Sequence, residues 1–200
     1  MSRNLVIFLH GVGSSGANLA PLGNAWAAAL PDTDFAAPDA PFASDMGQGY
    51  QWFSVRGVTE ENRPGRVLAA REGFDATLAA IIAAHGLTDR LDKVALVGFS
   101  QGSIMALDAL VSGRWPVAGI VAFSGRLAAP EPFAPSTTTK ALLVHGDADR
   151  IMAVGESVAA AEKLKALGMD ATVSIEPGLG HAISQEGAER AAAFLKHVFG

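Results

Sequence analysis

Cysteine is absent from the 200 residues. That excludes disulfides, thiolate zinc sites and a cysteine nucleophile together. Clusters of basic residues are missing as well: 15 Lys and Arg stand against 20 Asp and Glu, for a formal net charge of −5. With no run of cations to neutralise a phosphate backbone, no nucleic-acid partner is expected. No apolar run approaches the roughly 18 residues that a membrane span needs. Met1-Ser2-Arg3-Asn4 passes directly into a strand-like segment, without the charged, apolar and small-residue regions of a signal peptide. The expectation is a cytoplasmic protein with no transmembrane segment, and the missing cysteines fit a reducing compartment.

What is present suits a folded core. Half of the residues are hydrophobic and 18% are charged, a balance that disordered chains do not have. The length fits one domain over residues 1–200. Apolar β-rich runs at Leu5–Leu9, Val94–Phe99, Val117–Phe123, Ala141–Val144 and Ala171–Ile175 read as strands, with a short extended piece at Phe35–Ala37. Between them lie helix-period segments: Leu19–Leu30, 67–84, Gln101–Val111, a stretch marked by Val154, Val158, Leu164 and Leu167 and stopped by Gly168, and a last helix capped by Ser184. In 67–84 the expected buried face carries Val67, Leu68, Phe74, Leu78, Ile81 and Ile82. Near-continuous hydrophobic strands alternating with helices predict an α/β fold with a mainly parallel, doubly wound sheet.

Residues 38–65 interrupt this alternation. They are rich in Gly, Pro and Asp, yet hold Phe42, Met46, Tyr50, Trp52 and Phe53. A long loop inside a compact domain is expected to be functional or to be pinned by its large side chains. A lid, a pocket wall built from Trp52, Phe53 and Met46, or a homodimer contact would each use them.

Two short motifs compete for the function. Gly11-Val12-Gly13-Ser14-Ser15-Gly16 has the letters of a dinucleotide-binding turn between strand and helix, which would make the chain an oxidoreductase. That reading needs an acid about 20 positions on, at the end of the second strand, to bind the ribose. Asp32 and Asp34 precede the extended piece and Asp39 follows it, so the match is imperfect. The second motif, Gly98-Phe99-Ser100-Gln101-Gly102, follows a strand and opens a helix. It is the G-x-S-x-G of a nucleophile elbow, where the turn is so tight that residues two before and two after the serine must be small.

A serine hydroxyl is a weak nucleophile without a base, and the base needs an orienting acid, in the chain order Ser, acid, His. Of the five histidines only His181 and His197 follow a possible acid that itself follows Ser100. His197 lies among Phe194, Leu195, Val198 and Phe199 of the last helix. His181 sits in the Gly-rich loop after the last strand, where the base belongs. Strand Ala141–Val144 leads to both Asp147 and Asp149, and spacing barely separates them.

Taken together, His10-Gly11-Val12-Gly13, G-F-S-Q-G at 98–102, His145-Gly146-Asp147-Ala148-Asp149 and Gly180-His181 resemble the phospholipase/carboxylesterase family of α/β-hydrolases. Small bacterial carboxylesterases and acyl-protein thioesterases belong to that group, and the likeness runs from about residue 5 to residue 195. It implies an α/β-hydrolase fold without a large cap domain, and Ser100, Asp149 and His181 as catalytic residues. It further implies oxyanion donors in the backbone N–H groups of Val12 and Gln101, and an acyl pocket at Trp52-Phe53. The implied activity is hydrolysis of small or medium acyl esters, or of acyl thioesters or lysophospholipids at the same site, with no metal or organic cofactor. Ser103, Arg150 and Ser54 stand where the family commonly has Gly, Pro and Asp. A binding protein with a non-catalytic pocket is the remaining alternative.

Overall fold

The structure, a computed structural model, describes residues 3–200. Its frame is a six-stranded sheet in which every paired neighbour is parallel. The strands are β1 (Asn4–Leu9), β2 (Thr33–Ala36), β5 (Val94–Phe99), β6 (Gly119–Phe123), β7 (Lys140–Gly146) and β8 (Ala171–Glu176), in the order β2-β1-β5-β6-β7-β8. The helices are α1 (Gly16–Trp26), α2 (Arg63–Ala84), α3 (Gln101–Val111), α4 (Gly155–Ala166) and α5 (Gln185–Phe199).

Both faces of the sheet are covered, which is why the strands read as unbroken apolar runs. From β1, Leu5, Ile7 and Leu9 join the core under α2, α3 and α4, while Val6 and Phe8 join a second core under α1 and α5. All eleven residues of α3 are buried, including Asp108, whose carboxylate is held by Arg71 and Arg114. Ser184 caps α5 as expected: its hydroxyl accepts the Gly187 N–H at 2.8 Å.

Three expectations are corrected. The buried face of α2 is Val67, Ala70, Phe74, Leu78 and Ile82, one residue every three or four, and Leu68 lies off it, half exposed. The first helix starts at Gly16 and ends at Trp26 rather than spanning Leu19–Leu30. Its early start has a physical reason: the Asp39 carboxylate accepts the Gly16 N–H at 2.8 Å and so satisfies the first turn from outside the helix. Residues 38–65 contain a small antiparallel hairpin, β3 (Phe42–Ala43) with β4 (Tyr50–Gln51), and the first residues of α2, which begins at Arg63 with Pro64 in its first turn.

Candidate active site

Ser100 is the single residue between β5 and α3. Its backbone is held at φ 53° and ψ −114°, a conformation that costs an L-residue about 1–3 kcal/mol and persists only where the surroundings enforce it. The enforcement is visible. The Ser100 amide donates to the Phe123 carbonyl at 2.9 Å. A Cβ on Gly98 would stand 2.5 Å from the Ser103 amide nitrogen, and one on Gly102 would stand 1.9 Å from the Leu9 carbonyl oxygen. Small residues at both positions are therefore a steric requirement of this turn, as the motif anticipated.

The carboxyl ends of β5, β7 and β8 bring three distant side chains together. His181 Nε2 lies 3.0 Å from Ser100 Oγ, and His181 Nδ1 lies 2.6 Å from Asp149 Oδ2. With the ring proton on Nδ1, the imidazole donates to the carboxylate and its Nε2 accepts from the serine hydroxyl. The other oxygen, Asp149 Oδ1, accepts the amides of Ile151 and Met152 at 2.8 and 2.9 Å. Burial works to raise the Asp149 pKa. The hydrogen bonds from Met152, His181 and Ile151 outweigh it and hold the carboxyl below its ordinary range. Asp147 is engaged elsewhere: it is exposed, and its Oδ1 accepts the Gly178 amide at 2.7 Å. His197 lies on α5, 3.2 Å from Lys140 Nζ.

Residues that sequence order set aside support this line from behind. His145 is fully enclosed, with Nε2 3.2 Å from Asp149 Oδ2 and 2.9 Å from the Met152 carbonyl. Both neighbours are acceptors, so Nε2 carries a proton. Nδ1 lies 2.7 Å from Ser157 Oγ. No sequence signal marks this role, because His145 and Ser157 meet only when α4 packs on β7.

The loop after β1 is built around His10. The Ala40 N–H donates to His10 Nε2 at 2.9 Å, so the ring proton sits on Nδ1, which donates to the Gly11 carbonyl at 2.7 Å. Burial pushes the His10 pKa down, against weaker upward pulls from the Gly11 carbonyl and Asp39. This neutral ring fixes the peptide preceding Val12. The amides of Gly13 and Ser14 are occupied by the carbonyls of Tyr50 and Gly11. No hydrogen bond of the Val12 amide is found among the described residues. Gln101 adds a clamp that the motif did not announce: its Oε1 accepts the Trp52 amide and its Nε2 donates to the Phe53 carbonyl, both at 2.8 Å.

Of the three expected pocket residues, Trp52 and Phe53 are buried and Met46 is 70% exposed. The Trp52 indole N–H donates to the His10 carbonyl at 2.9 Å, and its ring meets Phe74 edge-on at 5.3 Å. Trp52 and Phe53 border a cleft of about 560 Å³ with Arg66 and Asp45 at its rim; Met46 does not line it. A second cleft, of about 590 Å³, lies between α1 and α5 and reaches Phe99. At its helix end the glycine turn at 11–16 is closed to a pyrophosphate. The Gly16 N–H is already bonded to Asp39, one of the carboxylates considered for a ribose, and a Cβ on Gly16 would stand 1.9 Å from the Ala37 carbonyl oxygen. Among the described residues, no group of three or more His, Asp or Glu is clustered to hold a metal ion, and no helix is long and apolar enough to cross a membrane.

A parallel sheet wound on both faces, with a strained serine and a histidine converging on its carboxyl edge and no large cap, is the architecture of an α/β-hydrolase. Within that class the chain belongs to the phospholipase/carboxylesterase family, whose sequence profile matches residues 1–199. It is 34% identical over 197 residues to esterase YpfH of Escherichia coli strain K12, covering 98% of this chain and 84% of that protein. It is 26% identical over 213 residues to acyl-protein thioesterase 1 of Neurospora crassa, covering 95% and 84%. The crystal structure of esterase PE8 superposes with a TM-score of 0.87 at 39% identity, over 98% of this chain and 93% of that one. By family, then, the chain is an ester-cleaving hydrolase.

Proposed function

We propose that the chain is a serine carboxylesterase that cleaves carboxylic esters of small or medium acyl chains through an acyl-enzyme on Ser100. The observation that carries this reading is the continuous line Ser100 Oγ to His181 to Asp149, at 3.0 and 2.6 Å. His181 Nε2 takes the hydroxyl proton as Ser100 Oγ attacks the acyl carbon, and Asp149 stabilises the imidazolium that forms. The amides of Val12 and Gln101 receive the negative oxygen, the latter aided by its place at the start of α3. Collapse of the tetrahedral adduct breaks the bond to the alcohol oxygen, which leaves with the proton from His181. Water then repeats the sequence on the acyl-enzyme and releases the acid. The relative named acyl-protein thioesterase 1 supports thioesters as a second substrate class for the same steps.

Two signatures test the scheme on p-nitrophenyl acetate. Rapid mixing should give a burst of p-nitrophenol followed by a slower steady rate, because this activated leaving group departs faster than water releases the acetyl-enzyme, which accumulates. The kcat/KM profile should fall on the acid side with a slope of one. Asp149 is held ionised below the ordinary carboxylate range, so only protonation of the imidazole removes activity there. A profile flat down to about pH 5 would contradict a histidine base.

A further inference from the structure

The cleft between α1 and α5 has no charged residue in its lining. Leu19, Leu22 and Ala25 of α1 form one wall, Ile183 and Ala188 the other, and Phe99 closes the inner end; the remaining polar groups are neutral Ser, Asn and Gln side chains. Its volume, about 590 Å³, lies within the roughly 300–1,000 Å³ of small-ligand sites. It is adjacent to the reacting centre at two points. Phe99 precedes Ser100 and its ring centroid is 4.9 Å from that of His181, and Ile183 follows His181 by two residues. Phe99 packs with the core under α1 and α5, whereas Trp52 and Phe53 pack with the core under α2 and α3. The two clefts therefore lie on opposite faces of the sheet whose carboxyl edge carries Ser100.

This placement decides which half of an ester can occupy the α1/α5 cleft. The departing oxygen must receive its proton from His181 Nε2, so the substituent it carries lies on the His181 side of the tetrahedral carbon. The acyl substituent lies on the other side. We propose that the α1/α5 cleft seats the leaving-group half of the substrate, and that this half is a neutral apolar alcohol, alkyl or aryl, of several carbons. The proposal rests on the assignment of Ser100 and His181 made above. An alcohol carrying an ammonium, carboxylate or phosphate gains nothing there, because the cleft offers a charge no partner and desolvation penalises it.

Two ester series separate the halves: n-alkyl acetates from ethyl to octyl vary the alcohol, and ethyl esters from acetate to octanoate vary the acid. In the wild type kcat/KM should climb along the acetate series, with a ceiling of about fourfold per methylene if each is fully buried. Ala25→Trp, at an exposed helix position, fills the cleft. It should lower the octyl-to-ethyl acetate ratio by about tenfold or more while the octanoate-to-acetate ratio of the ethyl esters stays within about twofold. Each ratio is internal to one preparation, so a misfolded fraction cannot produce the result. A flat acetate series in the wild type overturns the proposal, and so does an Ala25→Trp effect confined to the acyl series. Failure of the wild type to hydrolyse any member of either series, together with no fluorophosphonate attachment at Ser100, is a different failure: it removes the serine-esterase assignment itself.

Discussion

Replacing Ser100 by alanine should lower kcat/KM on p-nitrophenyl acetate by at least about 10⁴-fold and leave the melting temperature nearly unchanged. The two halves of this expectation have separate causes. The hydroxyl is the only atom removed, and its one described side-chain partner is His181 Nε2 at 3.0 Å. Alanine keeps the Cβ, so the clash that makes φ 53° costly is neither added nor relieved. The amide bond to Phe123 and the close approaches at Gly98 and Gly102 are untouched. Residual turnover is expected because the proposed oxyanion donors, the Val12 and Gln101 amides, are untouched by the substitution, and water can attack unassisted. A loss of only about tenfold in the folded variant would place the chemistry at another residue, and a collapsed melting temperature would give the hydroxyl a structural role instead.

Asp149→Asn should cost about 10³–10⁴ in kcat/KM, and Asp147→Asn less than about threefold. The asparagine keeps the shape and can still accept the Ile151 and Met152 amides through one oxygen. Its amino group then faces His181 Nδ1 and His145 Nε2, the positions 2.6 and 3.2 Å from the present Oδ2. A donor there favours the proton on His181 Nε2, the tautomer that cannot take one from Ser100. Among the described residues the Asp147 carboxylate accepts one hydrogen bond, from the Gly178 amide, and an asparagine oxygen can accept it equally well. Side-by-side kinetics of the two variants decide between the carboxylates; a larger loss in Asp147→Asn would reverse the assignment.

The ease with which the sheet could be read from the sequence has a physical origin. Leu5 to Leu9 are all buried because the strand is covered on both sides, so neighbouring residues face different cores and no polar residue interrupts the run. The elbow was legible for a related reason: its glycines answer contacts within a few residues or with β1, which lies beside β5. Elsewhere the information is held by partners far along the chain. Gln101 clamps backbone groups 49 and 48 positions earlier, and the start of α1 depends on Asp39, 23 positions later. The two-residue strands β3 and β4 are too short for any periodicity to reveal. Met46 and Trp52 look alike as large apolar side chains in one loop, yet Trp52 meets His10 and Phe74 while Met46 stays in solvent. Spacing could not choose between Asp147 and Asp149 because both leave the same strand. The path of residues 177–183 separates them, bringing Gly178 to one and His181 to the other.

The central claim is that Ser100 is a nucleophile activated by His181. Its most direct measurement is covalent labelling with a fluorophosphonate, followed by mass-spectrometric mapping of the modified peptide in the wild type, Ser100→Ala and His181→Gln. Rapid, stoichiometric attachment at Ser100 in the wild type is predicted, with none in Ser100→Ala and a rate slowed by about 10³-fold or more in His181→Gln. Attachment at another residue, or undiminished labelling of Ser100→Ala, would contradict it.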